Sequence, residues 1–199
     1  RPGNLYDYFL QRQEKGVLAA REILIAILKS MGEIWPDGTW VDSIAIGDAA
    51  YHEAVKRYDI TDRIVPFHKL SQWMSYSLIE PLQLAGMKII HLDALTGLAE
   101  YRNGGLFIDT GTISLRDKTE IETLHDPKSP LIVEWRALTV TLLDQLAEQI
   151  RQHTNTNSES MPLVSILQGG TWSAGRRIAQ RLRSDASPPL RLKSRGTIF

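Results

Sequence analysis

The chain has 199 residues, a formal net charge of zero and no cysteine. A domain of this size buries roughly 70% of its unfolded surface, so it needs no metal or disulfide staple. The composition excludes disulfides, thiolate nucleophiles and zinc–thiolate sites. The longest apolar run, around residues 23–28, is far too short to span a bilayer, and no signal-peptide pattern opens the chain. A reducing, cytoplasmic setting without membrane contact is expected. The charge is uneven: from Gly170 onward seven Lys/Arg face only Asp185. That basic segment reads either as a contact for phosphate or nucleic acid or as a solvated helix face with a tail docked on the acidic body.

Arg1-Pro2-Gly3-Asn4 lacks an initiator Met and reads like a mid-chain turn. The chain is therefore expected to be the C-terminal part of a longer protein, and its 199 residues are expected to form one domain. Residues 4–15 read as a helix with Asn4 as N-cap. The clearest amphipathic helix covers 17–35, with Leu24, Ile27, Leu28, Met31, Ile34 and Trp35 on one face, and Pro36-Asp37-Gly38 ends it as a turn. Residues 39–47 hold a short strand or hairpin, and 48–58 a short helix. Pro66 sits in the first turn of a helix over 66–85. Its apolar face is Phe67, Leu70, Met74, Leu78 and Leu82, and Lys69, Gln72, Tyr76 and Glu80 form a polar stripe beside it. Pro81 predicts a kink, and Gly86 ends the helix.

Residues 87–92 read as a short strand or link. Asp93 is placed to cap a helix over 94–103 that Asn103-Gly104-Gly105 stops. Residues 106–115 alternate weakly. Ser129-Pro130 opens a long, central helix to about Gln152, residues 153–160 form a polar loop, and helices follow at 162–168 and 171–184. Pro188-Pro189 leads into an extended tail. The sum is a mostly α domain with a few short strands.

Residues 65–109 are dense in groups that do chemistry or hold ligands: His68, Lys69, Gln72, Tyr76, Glu80, Asp93, Glu100, Tyr101 and Arg102. They alternate with large apolar residues, which suggests a lined pocket, since an unpartnered buried polar group costs about 1–3 kcal/mol. Glu80 and Tyr76 either orient a substrate or belong to a solvated stripe. Asp93 is either a helix cap or a catalyst. Glu100 and Arg102 form either an ion-pair node or a site. Glu134 and Arg136 lie in the apolar helix, where a buried charge needs a partner. Gly169-Gly170-Thr171 ahead of Arg176 reads as a helix start able to attract an anion or as a plain turn, and it is no Walker or dinucleotide fingerprint. The five histidines show no metal-ligand spacing, no Gly-x-Ser-x-Gly elbow occurs, and no metal or cofactor is expected.

The runs Val65-Pro66-Phe67-His68-Lys69-Leu70-Ser71-Gln72-Trp73, Leu95-Thr96-Gly97-Leu98-Ala99-Glu100-Tyr101-Arg102-Asn103-Gly104-Gly105, Val133-Glu134-Trp135-Arg136 and Gly169-Gly170-Thr171-Trp172 together resemble the uracil-catabolism protein 4 family, a family also described as a domain of unknown function. The resemblance runs from Tyr6 onward. It implies members about twice this length and a role in a fungal and bacterial pyrimidine route, in which uracil becomes a nucleotide, its ring is opened and a ribosylurea-type intermediate results. A fainter resemblance links Phe67, Lys69, Gln72, Thr96, Tyr101, Arg102, Glu134 and Arg136 to the queuosine-salvage N-glycosidases, and implies a fold like the helix-hairpin-helix DNA glycosylases. The chain departs from that pattern at Ser77 and Gln168, where acids are expected. It departs from its own family at Ser194-Arg195-Gly196-Thr197, where Arg replaces Asp.

The expected activity is hydrolysis of an N-ribosidic bond in ribosylurea or its 5′-phosphate. Glu80, Glu100 and Asp93 are the catalytic candidates. His68, Lys69, Gln72, Tyr76, Tyr101, Arg102, Glu134 and Arg136 are expected to bind the substrate, and Gly169, Gly170, Thr171 and Arg176 its phosphate. The expected partners are a nucleoside- or nucleotide-derived small molecule and the N-terminal half of the same protein. A non-catalytic scaffold subunit is the alternative, and nucleic-acid binding a weaker one.

Overall fold

The computed structural model describes residues 2–35 and 38–193. Most of the Pro36-Asp37-Gly38 turn and the Ser194–Thr197 departure thus lie outside the described residues. The helices are α1 (Pro2–Leu10), α2 (Ala20–Met31), α3 (Lys69–Leu84), α4 (Tyr101–Asp109), α5 (Pro130–Thr154), α6 (Leu163–Ile166) and α7 (Trp172–Leu182). The strands are β1 (Val17–Ala19), β2 (Thr39–Val41), β3 (Ile44–Gly47), β4 (Ala49–Tyr51), β5 (Ile64–Pro66), β6 (Lys88–Ile90), β7 (Leu124–His125) and β8 (Arg191–Leu192). They pair only in twos: β1 with β6 and β7 with β8 in parallel, β2 with β3 and β4 with β5 as antiparallel hairpins. The architecture is mostly α with short strands, and no described helix is long and apolar enough to cross a membrane.

The main core gathers Ile23 and Ile27 of α2, Tyr76, Ile79 and Leu82 of α3, Leu95, Phe107 of α4, and Leu143 and Ala147 of α5. The expected helix over 17–35 is divided. Lys15 and Gly16 take positive φ (52° and 80°), which turns the chain so that Val17–Ala19 pairs with Lys88–Ile90 before α2 begins. The expected helix over 48–58 is instead β4 and a loop. Side chains compete there for the backbone: Asp59 accepts the Thr61 N–H (2.8 Å) and Asp62 the Arg57 N–H (2.9 Å).

Helix α3 starts at Lys69, not Pro66, because the Phe67 and His68 N–H groups donate to the Asp48 carbonyl (3.0 and 2.8 Å). Its buried face is wider than expected: Leu82 is buried as predicted, but most of the stripe is buried too. Lys69, Gln72 and Tyr76 point inward with Ser71 and Ser75, while Met74 and Leu78 are only half-buried. The expected helix over 94–103 is also replaced. Asp93 lies in a short 3-10 turn, residues 95–100 are extended, and α4 runs through Asn103-Gly104-Gly105 instead of stopping there.

Those glycines serve close approach. A Cβ on Gly104 would stand 2.8 Å from Trp135 Nε1, which donates to the Gly104 carbonyl (3.0 Å). A Cβ on Gly175 would stand 2.0 Å from the Arg102 carbonyl oxygen, so α7 lies backbone to backbone on α4. Helix α5 starts and ends close to its predicted bounds. The chain from Leu163 to Leu182 is one run of helix, interrupted only by a π turn over Leu167–Thr171. The tail docks: Leu190 is fully buried and Arg183 forks onto Asp109 (2.8 and 2.6 Å).

Arg136 of α5, fully buried, forks onto Asp48 between β3 and β4 (2.9 and 2.7 Å). This pair fastens the hairpins to the helical body. Asp48→Ala leaves a buried guanidinium without its carboxylate and is expected to cost about 3–5 kcal/mol, read by denaturant unfolding. Gly175→Ala is expected to destabilise by about 3 kcal/mol or more. Gly169→Ala, with nothing within 4 Å of its added carbon, is expected to be neutral or to stabilise by up to about 1 kcal/mol in the same assay.

Candidate functional site

Two helices begin with buried residues, α3 at Lys69 and α4 just after Glu100. At the start of α3, an Asp48 carboxylate oxygen accepts the Lys69 N–H (2.9 Å) while both oxygens hold Arg136. The Arg136 guanidinium also lies over the Phe67 ring (4.0 Å) and donates from Nε to the Ala99 carbonyl (3.4 Å). At the start of α4, Glu100 is the N-cap, and its carboxylate accepts the N–H groups of Arg102 (2.8 Å) and Asn103. A carboxylate at a helix N-terminus also benefits from the helix dipole.

Lys69 and Glu100 are both buried and feel each other's charge. Burial and the nearby Arg136 charge lower the Lys69 ammonium to a pKa of about 8, against the pull of Asp48 and Glu100. Burial raises the Glu100 carboxyl, against its two backbone hydrogen bonds and the charges of Lys69 and Arg102. Perturbation of this kind in adjoining groups is a feature of functional sites.

The buried stripe of α3 positions this pair. Gln72 Oε1 accepts the Thr96 N–H (3.2 Å) and the Tyr76 hydroxyl donates to the Thr96 carbonyl (3.0 Å). Together they fix the extended segment that ends in Glu100. Burial, then the Asp144 charge, raises the Tyr76 phenol well above its ordinary value, so it stays protonated. Behind Glu100, the Asn103 amide donates to the Leu98 carbonyl (3.3 Å) and accepts from the Thr171 hydroxyl (2.8 Å), which joins the π turn to α4.

His68 takes a left-handed conformation (φ 51°) just before α3, and its Nδ1 is buried without a hydrogen-bond partner. Burial lowers its pKa, with Arg136 adding to that and Asp48 opposing it. A non-glycine residue at positive φ stores strain of the kind found at functional sites.

The other expected site residues lie elsewhere. Glu80 is exposed three turns along α3 from Lys69, about 16 Å at 1.5 Å per residue. Asp93 is exposed and lines a separate open groove of about 730 Å³ with Arg12, Glu14, Arg21, Glu22 and His91. Neither carboxylate converges with Glu100. Glu134 is exposed on α5 and meets His52 Nε2 (3.2 Å) instead of Arg136. Arg102 lies over the Tyr101 ring (4.8 Å) and donates to the Ala186 carbonyl (2.7 Å).

Gly169, Gly170 and Thr171 lie inside the π turn, so they do not form the free helix start that the sequence suggested. Arg176 is exposed and lies over Trp172 (5.7 Å). No group of three metal-ligating side chains occurs among the described residues. The sequence reading passed over Asp48 and Asn103. A signal for Asp48 existed: a buried arginine in α5 demands a carboxylate, and Asp48 stands between a glycine and two alanines that are themselves buried.

The family model described as "Protein of unknown function (DUF1688)" matches residues 1–199. "Protein urg3" of Schizosaccharomyces pombe is 43% identical over 169 residues, which cover 83% of this chain and 41% of that protein. "Uracil catabolism protein 4" of Lachancea kluyveri is 36% identical over 227 residues, covering all of this chain and 51% of that protein. The chain thus spans about half the length of these curated relatives, or less. No solved structure matches it. The chain belongs to the DUF1688 family, the one to which its uracil-catabolism protein 4 motifs pointed.

Proposed function

We propose that this chain is one helical domain of a longer protein of uracil catabolism, and that it hydrolyses a ribosylurea-type intermediate, with or without a 5′-phosphate, to urea and a ribose. A cytoplasmic setting and a fold akin to the helix-hairpin-helix glycosylases are part of the proposal. The catabolic role is supported by the names of the two relatives. The hydrolytic role is carried by one observation, the burial of Glu100 beside Lys69 with the carboxyl raised and the ammonium lowered.

Cleavage of an N-ribosidic bond builds positive charge on the sugar. In this reading the ionised Glu100 stabilises that charge and takes a proton from the attacking water as its oxygen bonds to the anomeric carbon. The Lys69 ammonium gives a proton to the departing urea nitrogen as the carbon–nitrogen bond breaks. A proton then passes from Glu100 to Lys69 and restores both groups. An acid with a pKa near working pH suits this duty.

A second carboxylate at Glu80 or Asp93 is not part of the scheme. Acid pairs that share a sugar stand about 5–10 Å apart, and Glu80 is about 16 Å along the helix from Lys69. His68 Nδ1 is assigned to a polar group of the substrate, and Tyr101 and Arg102 to its edge. Gln72, Tyr76 and Arg136 position the reacting pair. A 5′-phosphate is assigned to the exposed Arg176 alone, since Gly169 and Gly170 lie within a continuous helical run.

The scaffold reading is favoured by one fact: the Glu100 carboxylate already accepts two backbone N–H bonds as a cap. Incubation of the full-length protein with ribosylurea and its 5′-phosphate, with urea as the readout, separates the two. Glu100→Gln is expected to lower kcat/KM by about 10²–10⁴-fold with the circular dichroism unchanged. No urea from the wild type rejects the hydrolase, and full release by Glu100→Gln removes Glu100 from it. The rate is expected to fall as pH rises through about 8, where Lys69 loses the proton it donates. Lys69→Arg, whose guanidinium does not give up its proton, is expected to remove this alkaline limb and to lower kcat/KM sharply.

A further inference from the structure

Exposed aromatic and aliphatic side chains gather on the two hairpins. Trp40 (53% exposed) stands on β2, Tyr51 on β4, and Tyr58 and Ile60 (82% exposed) on the loop that joins β4 to β5; Ile44, paired with Val41, lies on the other face of the β2–β3 hairpin. The hairpins adjoin. The Tyr51 hydroxyl reaches the Trp40 carbonyl (3.5 Å), and the Thr39 hydroxyl donates to the Ala49 carbonyl.

The loop is tied at several points. Besides its two Asp-centred turns, Arg63 pairs with Glu53 (2.9 Å). The apolar side chains are thus held out into solvent on an ordered frame. Two-stranded hairpins are marginal in water unless something packs on them, and an exposed patch of this kind marks an interaction surface. Its exposed Trp and Tyr are residue types that interfaces favour, and the same loop carries Glu53, Lys56, Arg57 and Arg63.

We infer that this face is where the remainder of the full-length protein docks, meaning the polypeptide outside these 199 residues. The chain accounts for 41% and 51% of its curated relatives, so at least about as much chain again has to pack somewhere. β4 and β5 lead directly into Asp48 and His68, so a body seated here borders the buried polar centre. The inference does not rest on the hydrolase reading.

The test is amine-reactive cross-linking of the full-length protein in an isotope-mixed sample, followed by mass spectrometry. Lys56, whose side chain is 65% exposed, is expected to link to lysines outside these 199 residues within the same polypeptide. Tyr58→Asp with Ile60→Asp changes two exposed positions and leaves the core intact. It is expected to cut the yield of those links about tenfold, as the loss of central anchors does in an interface, with circular dichroism unchanged. Links only between copies, no links beyond these residues, or an undiminished yield in the variant each overturn the inference. Urea release plays no part in the readout, so this test and that of the hydrolase fail separately.

Discussion

A charge buried away from water must be matched, and the Arg136–Asp48 fork meets that requirement for this fold. Leaving one partner alone costs several kcal/mol, so α5 and the β3–β4 junction are held in one register. The same aspartate takes three further bonds. Its side chain receives the Lys69 N–H, and its carbonyl receives those of Phe67 and His68. One residue therefore sets where α5 meets the hairpins and where α3 begins. It also bends the chain at His68 into a conformation that an isolated peptide avoids.

A second constraint follows from packing. α4 lies close to both α5 and α7 because Gly104 and Gly175 carry no side chain where the neighbours pass. That closeness lets Thr171 reach Asn103 and Trp135 reach the Gly104 carbonyl. Glu100 thus caps a helix that is pinned on two sides, and its position is set by α5 and α7 as much as by its own turn. The π turn adds to this by keeping α6 and α7 in one continuous run while Thr171 faces α4.

Local signals carried the elements that were legible in the sequence. Ser129-Pro130 opened α5 where expected, the apolar positions at 39–47 formed the β2–β3 hairpin, and residues 87–92 contained β6. Apart from the 48–58 helix, which local Asp turns displace, most of what failed depended on partners distant in sequence. The Lys69–Gln72–Tyr76 stripe reads as pocket-lining or solvated, because nothing nearby in sequence shows that Thr96 and Asp48 are its partners. Gly104-Gly105 looked like a stop because glycine usually ends helices, whereas here Trp135 needs the space. Glu100 is an uncommon cap, so the helix start was given to Asp93. The dense polar groups of residues 65–109 include Lys69, Gln72, Tyr76 and Glu100, which are buried. Their density could not separate Glu100, which turns inward, from Glu80, which faces water.

The site's electrostatics follow from these placements. Asp48 and Glu100 each sit at the start of a helix, where the backbone favours an anion. Asp48 is neutralised by the Arg136 fork, and Arg136 in turn pushes the Lys69 ammonium down. Lys69 therefore lies between a carboxylate already matched and one matched in part by backbone N–H groups. Burial works against the charged form of both Lys69 and Glu100, while their mutual attraction works for it. The balance leaves each group nearer to exchanging a proton than it is in water. The depression of Lys69 comes from burial and from Arg136, so the pair that fastens the hairpins to α5 also tunes the group beside Glu100.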